Sequence, residues 1–251
     1  KVREHAADAG TGTVPAAAAG EPAKGQYVPS SPPAPVEAAA PGPTVSIIVP
    51  VDEEGAAFRQ CLASLRALSP APEEVIIVTD GNGAGTRELA AGAGFRVVEC
   101  PRRGGPARAR NLGARRARGE VLLFVDADVT VPPRAVGQVA EQFRSRGGPD
   151  AVIGSYDDAP AEPNFLSQYR NLLHHYVHQT AREEACTFWG ACGAVRRDVF
   201  LRVGGFSEEY PQPSIEDIEL GARLRRGGHA IRLCKALQVK HWKRWSAGSL
   251  L

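Results

Sequence analysis

Five carboxylates at three places in this chain have the types and spacing to do chemistry. Asp126 and Asp128 stand one residue apart, directly after Val121-Leu122-Leu123-Phe124-Val125. An apolar run ending in D-x-D reads as a buried strand with acids at its carboxyl end. In an open α/β sheet, ligands bind just outside that end. Hard divalent cations prefer carboxylate oxygen and share their coordination with substrate phosphates, so the pair suits Mg2+ or Mn2+ carrying a diphosphate. An acidic turn after a strand would look the same in isolation. Asp80, before Gly81-Asn82-Gly83, closes a second apolar run, Val75-Ile76-Ile77-Val78. If the two strands are parallel neighbours, all three aspartates face one crevice, where Asp80 could accept a hydrogen bond from a base N–H. A turn-forming Asp before Gly is the plainer alternative. Glu216-Asp217 follows Pro213-Ser214-Ile215. Either these acids complement a helix macrodipole, with Ser214 as N-cap, or one is a general base for an acceptor hydroxyl.

The elements that must position these groups are legible as punctuation between apolar runs. Val45 to Val51 is a strand closed by Pro50, and 54–68 places Phe58, Cys61, Leu62, Leu65 and Leu68 at helical spacing. Ser69-Pro70-Ala71-Pro72 stops that helix. The Val75–Val78 strand, a short helix over 85–93, a strand over 95–100, a basic helix over 106–118 and the 121–125 strand follow. Strands alternating with helices in this way indicate βαβ units and a parallel sheet. From Pro132 the pattern is α+β: helices over 132–145, 164–180, 197–203 and 216–227, strands over 152–156, 188–195 and 230–240, packing on the sheet edge of the first half. The 164–180 helix carries Phe165, Leu166, Tyr169, Leu172, Leu173, Tyr176 and Val177 on one stripe.

Composition narrows the function classes. Thirty basic and 28 acidic residues leave a net charge of +2, which gives no global attraction to nucleic acid. The arginine run from Arg102 to Arg118 lacks the interleaved aromatics of a nucleic-acid surface. Some of its members are expected to offset diphosphate charge. Residues 1–43 are Ala-, Pro- and Gly-rich and cannot bury enough surface to offset their ordering entropy, so a disordered tail is expected there. The five scattered cysteines include no C-x-x-C pair and suit reduced thiols in a cytosolic setting. The apolar runs are too short to span a bilayer, no signal-peptide core is visible, and the lack of any Met suggests a fragment.

Three smaller signals remain. His174 and His178 have the i,i+4 spacing of a metal pair, but no third ligand is evident and a solvated polar face is the better reading. His241 follows a strand and could add an imidazole to a divalent site. His241-Trp242-Lys243-Arg244-Trp245 mixes aromatic and cationic side chains, as a membrane interface does.

Taken in order, the motifs resemble one family. VSIIVPV is followed by TDG, then by Gly105, Ala109, Arg110, Asn111 and Gly113 on a helix, then by Gly119-Glu120 leading into FVDADV. The Gly190 to Arg197 stretch, VGGF and IEDIELGARL complete the series. The set is similar to glycosyltransferases of family 2 with the GT-A fold, over about residues 44–245. The resemblance implies a Rossmann-like, mostly parallel sheet flanked by helices, with a fused α+β acceptor half. It implies an inverting transfer from a nucleotide-diphosphate sugar, with a UDP-sugar expected, and Mn2+ or Mg2+ as cofactor. Pro50, Val51, Glu54, Asp80, Arg110 and Asp126 would bind the donor. Asp128, Asp126 and His241 would hold the metal. Asp217 would be the base, with Glu216 beside it. Departures are Asp52-Glu53 for the usual Tyr-Asn, Thr79-Asp80 for Asp-Asp, and Cys192 for an Asn toward the acceptor side.

The resulting expectation is a 1–43 tail, a nucleotide-sugar-binding half over 44–131 and an acceptor and catalytic-base half over 132–251. The acceptor would be a glycan, a lipid phosphate or a small molecule. The setting would be the cytoplasm or the cytoplasmic face of a membrane, touched through the C-terminal segment, with no nucleic acid as partner. A catalytically silent nucleotide-sugar-binding or scaffolding domain is the alternative. A sugar nucleotidyltransferase would need a basic, Gly-rich phosphate loop where Asp52-Glu53-Glu54 stands.

Overall fold

A computed structural model describes residues 42–81, 83–145, 147–210, 212, 214–246 and 248. The expected tail therefore lies outside the described residues, apart from Gly42 and Pro43. β1 (Val45–Val51) lies between β2 (Glu74–Asp80) and β4 (Val121–Val125), parallel to both, and β3 (Arg96–Cys100) lies outside β2. α1 (Ala56–Arg66), α2 (Ala84–Gly92) and α3 (Gly105–Arg116) return the chain between them. The strand order reverses at β1: the chain first steps to β2 and β3, then crosses to β4. That reversal is where an open α/β sheet leaves a crevice.

The second half continues the same sheet. After β5 (Val129–Thr130), α4 (Ala135–Gln142), β6 (Ala151–Tyr156), α5 (Phe165–Thr180) and β7 (Glu184–Ala185), β8 (Cys192–Arg196) inserts antiparallel between β4 and β6. α6 (Arg197–Arg202), α7 (Glu216–Arg226) and β9 (Ile231–His241) complete the chain, and β9 runs parallel to β6. The order is β3-β2-β1-β4-β8-β6-β9-β5, with β7 on β9. The fold is thus α/β, parallel through its first half and mixed beyond β4. The two-residue strands β5 and β7 have no counterpart in the sequence reading, being too short to show a period.

Both faces of β1 and β4 are buried, which is why they read as continuous apolar runs rather than alternating ones. Ile47, Val49 and Val51 face a layer with Phe58, Leu62 and Leu65 of α1. Ile48, Leu122 and Phe124 face the opposite layer, against α3, α6 and α7. Phe124 sits among Phe188, Phe200 and Phe206, with ring centroids 6.3, 5.2 and 5.1 Å away. α3 lies close on β1: a Cβ on Gly113 would come 2.5 Å from Ile48 Cγ2. The Cys192 side chain is fully buried in the first layer, so this departure belongs to the core and not to an acceptor surface.

α5 is the helix expected over 164–180. Its apolar stripe is present but faces outward: Phe165 is 81% exposed and Tyr176 65%. Its polar side faces the sheet, with Ser167 and Asn171 buried. The cause lies in β6, whose register against β9 shifts between Ile153 and Ser155. Carbonyls along this irregular stretch need donors. His178 Nδ1 meets Gly154 O at 3.0 Å, His175 Nδ1 meets Tyr156 O at 2.7 Å, and Asn171 Nδ2 donates to Asp157 O at 2.8 Å. Since a carbonyl can only accept, both imidazoles carry their proton on Nδ1. The solvated reading of His174 and His178 is therefore overturned. His174 packs on Tyr156, His178 and Trp189, and burial, with its imidazole neighbours, pushes its pKa down to about 3.

Candidate active site

A cavity of about 980 Å3 opens at the β1/β4 reversal. Pro50 and Val51 from β1, Asp80 from β2, and Asp126 and Asp128 after β4 line it, together with Glu54 and Arg110. The three aspartates thus do share one crevice. β2 and β4 are not adjacent; each is parallel to β1 on opposite sides.

Asp80 is anchored as well as placed. Its Oδ1 accepts the Gly104 N–H at 2.9 Å and its Oδ2 the Gly105 N–H at 2.7 Å. The N-cap position of α3 is a glycine with no side chain to offer, so Asp80 supplies the capping carboxylate from a neighbouring strand. Oδ2 also accepts the Gly104 N–H at 3.2 Å, so the start of α3 engages both oxygens. Glu54 also lines the cavity, and its exposed carboxylate lies over Gly85, where a Cβ would come 2.1 Å from Oε2 and displace that side chain.

Arg110 ties the two halves together. Its Nη2 donates to Asp126 Oδ1 at 2.7 Å and its Nη1 to Glu216 Oε1 at 2.9 Å, with only 5% of the Arg110 side chain exposed. Burial alone would lower its pKa, but the facing Asp126 and Glu216 carboxylates hold it above the usual value. Asn111, next in the same motif, grips the VGGF turn: its Oδ1 accepts the Phe206 N–H and its Nδ2 donates to Phe206 O. The family motif on α3 is thus a set of tethers from this helix to α7 and to the turn before it.

Glu216 and Asp217 part company. Glu216 is buried, and its Oε2 accepts the Ser214 N–H at 2.9 Å. That bond lies just ahead of α7 and caps none of its first-turn N–H groups; the expectation of Ser214 as N-cap fails, since Ile215 holds that position with no side-chain bond. Asp217 accepts the Gly190 N–H at 3.0 Å. Burial, together with the charge of Glu216 and against the pull of Gly190, raises its pKa above the ordinary carboxylate value. Close packing sets this geometry. A Cβ on Gly221 would lie 2.3 Å from Phe188 N, so α7 seats directly on the backbone leading to Gly190. Gly221→Ala must push α7 back, and a loss of about 1–3 kcal/mol is expected, read as a lowered melting temperature.

On the other side, His241 stacks on Tyr156, with centroids 4.8 Å apart, and its Nε2 lies 3.3 Å from Asp128 Oδ2. Although burial acts upward, this imidazole and then Lys243 hold the Asp128 carboxyl below its usual pKa. Among the described residues, no three His, Cys, Asp or Glu side chains gather as a complete cation cage. Asp128 and His241 do converge. Two protein donors suit a hard divalent ion that takes its remaining ligands from a diphosphate and water, so the residues fit Mg2+ or Mn2+.

Sequence reasoning missed Gln212 and Lys243, which also line the cavity, as does Arg103 from the arginine run expected to offset diphosphate charge. Arg103 pairs with Asp52 across the rim. Lys243 rests on the Trp245 ring, 4.4 Å from its centroid, and reaches the cavity because β9 carries the chain back past Asp128. Its basic neighbours masked that signal.

This sheet order, with a D-x-D at the carboxyl end of β4, defines the GT-A fold. The chain matches the family model "Glycosyl transferase family 2" over residues 46–204 and belongs to that family. It is similar to Validoxylamine A glucosyltransferase of Streptomyces hygroscopicus subsp. limoneus, with 26% identity covering 74% of this chain and 49% of that protein. It is similar too to Pre-mycofactocin glycosyltransferase of Mycobacterium tuberculosis, with 27% identity over 78% of this chain and 42% of that one. The chain spans about half the length of these relatives. Among solved structures, it resembles the mannosyltransferase PcManGT of Pyrobaculum calidifontis in complex with GDP-Man and Mn2+, with a TM-score of 0.63 at 21% identity, covering 83% of this chain and 59% of that one. The structure of S. aureus TarS 1-349 in complex with UDP-GlcNAc gives a TM-score of 0.63 at 19% identity, covering 82% and 60%.

Proposed function

We propose that this chain is the donor-binding and catalytic part of an inverting, divalent-metal-dependent glycosyltransferase that uses a UDP-sugar. The observation that carries this reading is the Arg110 bridge, which fixes the D-x-D and the Glu216-Asp217 turn to one guanidinium. Asp80 holds the base-end wall. Asp128 and His241 would hold Mg2+ or Mn2+, which when bound offsets charge on the diphosphate leaving group. Asp217, with its raised pKa, accepts the acceptor hydroxyl proton as that oxygen attacks the anomeric carbon. Glu216, buried against Arg110, positions that turn and is not itself the base. Relatives bearing glycosyltransferase names, and similar folds solved with GDP-Man and Mn2+ or with UDP-GlcNAc, support a nucleotide-sugar donor and a metal. We place the acceptor among small molecules, glycans and lipid phosphates, and the enzyme in the cytoplasm, in peripheral contact with the membrane face. Five free cysteines suit a reducing compartment.

The test is titration of UDP-, GDP- and dTDP-sugars with and without Mn2+ or Mg2+, on the native chain and on Asp128→Ala. One donor that binds only with metal, and not to Asp128→Ala, is expected. Absence of binding for every donor and metal would overturn the reading. The exposed cation Lys243 is expected to favour the second phosphate. Lys243→Ala should weaken UDP by about threefold to tenfold while leaving UMP unchanged, since charge-assisted contacts at exposed sites are modest.

A further inference from the structure

The outward stripe of α5 plays no part in the donor site, and its orientation is not negotiable. The helix is held by its polar side to Gly154 O, Tyr156 O and Asp157 O. Gln179 Nε2 adds a bond to Lys235 O, and Lys235 Nζ returns one to Gln179 O. With about 100° per residue, Phe165, Tyr169, Leu172 and Tyr176 lie diametrically opposite Ser167 and Asn171. Exposures of 81, 53, 41 and 65% leave these large side chains without cover.

One flank of the stripe is built of aromatic and cationic groups. The Arg170 guanidinium lies over the Trp245 ring, 4.1 Å from its centroid. The Trp245 backbone is fastened to the start of α5, its N–H donating to Ser167 Oγ at 2.8 Å and its carbonyl accepting from Asn164 Nδ2 at 2.8 Å. Arg244 stands beside it, facing Glu162. The membrane-interface character of the 241–245 segment is therefore continuous with the apolar stripe.

We infer that α5 and the Trp245 segment form a docking surface for an anionic lipid bilayer, with the stripe seated at the acyl boundary and Arg170 at the headgroups. A fixed helix with an apolar outer face and a flank of Arg and Trp has the makeup of an interfacial element. Anionic headgroups complement the cationic flank. A second copy of the chain fits less well. Two-fold antiparallel pairing through Leu172 and Leu173 brings both Arg170 side chains to the same flank, like charge toward like charge. The inference stands apart from the donor-site reading and goes beyond contact through the C-terminal segment alone.

The experiment is flotation of the full chain with phosphatidylcholine vesicles with and without phosphatidylglycerol, alongside sedimentation velocity. The native chain is expected to float with the anionic vesicles, more weakly as salt rises. Tyr176→Glu and, separately, Leu173→Glu should each lower partitioning about tenfold or more, with unchanged melting and unchanged UDP binding. Arg170→Glu should weaken binding to anionic vesicles and restore no affinity for neutral ones. Failure to float with any vesicle, flotation indifferent to lipid charge, or a dimer split by Tyr176→Glu would each overturn the inference. UDP binding on the same samples keeps that failure separate from failure of the transferase reading.

Discussion

Asp217→Asn is expected to lower sugar transfer by about 10²–10⁴-fold while metal-dependent donor binding is retained. The substitution preserves shape, and the amide oxygen can keep the Gly190 N–H, although the amide NH2 then faces the Ile218 N–H that Oδ1 now accepts at 2.8 Å. What is lost is a group that can receive a proton. In the native chain the rate should fall as pH drops through the Asp217 pKa. Burial raises that value, so the acid limb lies above the range of an ordinary carboxylate. Stability has its own sign. A carboxyl whose folded pKa exceeds its unfolded one disfavours folding once pH is above both, because the unfolded chain ionises more readily. Asp217→Asn removes that penalty but loses the Ile218 bond, so it should melt close to the native chain at neutral pH. A rate profile over pH 4–9, with donor affinity and melting measured on the same samples, checks all three. Equal turnover in the variant would assign the base elsewhere.

Arg110→Met is expected to destabilise the fold by about 3–5 kcal/mol, because removing one member of a buried pair strands the other. The stranded group is Glu216, whose side chain is 6% exposed. Asp126 is more open and is partly relieved by solvent. With total stabilities of roughly 5–15 kcal/mol, such a loss should be plain in a denaturant titration. Arg110→Met combined with Glu216→Gln should recover part of the loss at neutral pH. If the single variant is as stable as the native chain, the bridge is not what joins D-x-D to α7.

What could be read from the residues, and what could not, divides along physical lines. β1, β2, β4 and their helices were legible because each strand is buried on both faces and each is closed by Pro, Gly or Asp. The carboxylates were legible because a crevice at strand ends follows from topology. Their partners were not. That Asp80 caps α3 depends on Gly104 arriving from 24 residues away, and that Glu216 meets Arg110 depends on helices 106 residues apart. The stripe on α5 was visible as a period, but its direction was set by a register shift in β6 that leaves no periodic trace. Lys243 was read as part of a membrane-interface segment because only the length of β9 shows where that segment returns.

The β4–β8 ladder decides where this protein can be divided. The link between 131 and 132 looks like a natural seam between a nucleotide half and an acceptor half. Yet Val121 to Val125 pair along their length with Cys192 to Arg196. A fragment ending at 131 would present β4 as a bare edge, apolar on both faces, the kind of template on which chains self-associate. Its Arg110 would also lack Glu216. Split reporters or fragment-complementation designs cut at that seam should therefore precipitate before they reassemble.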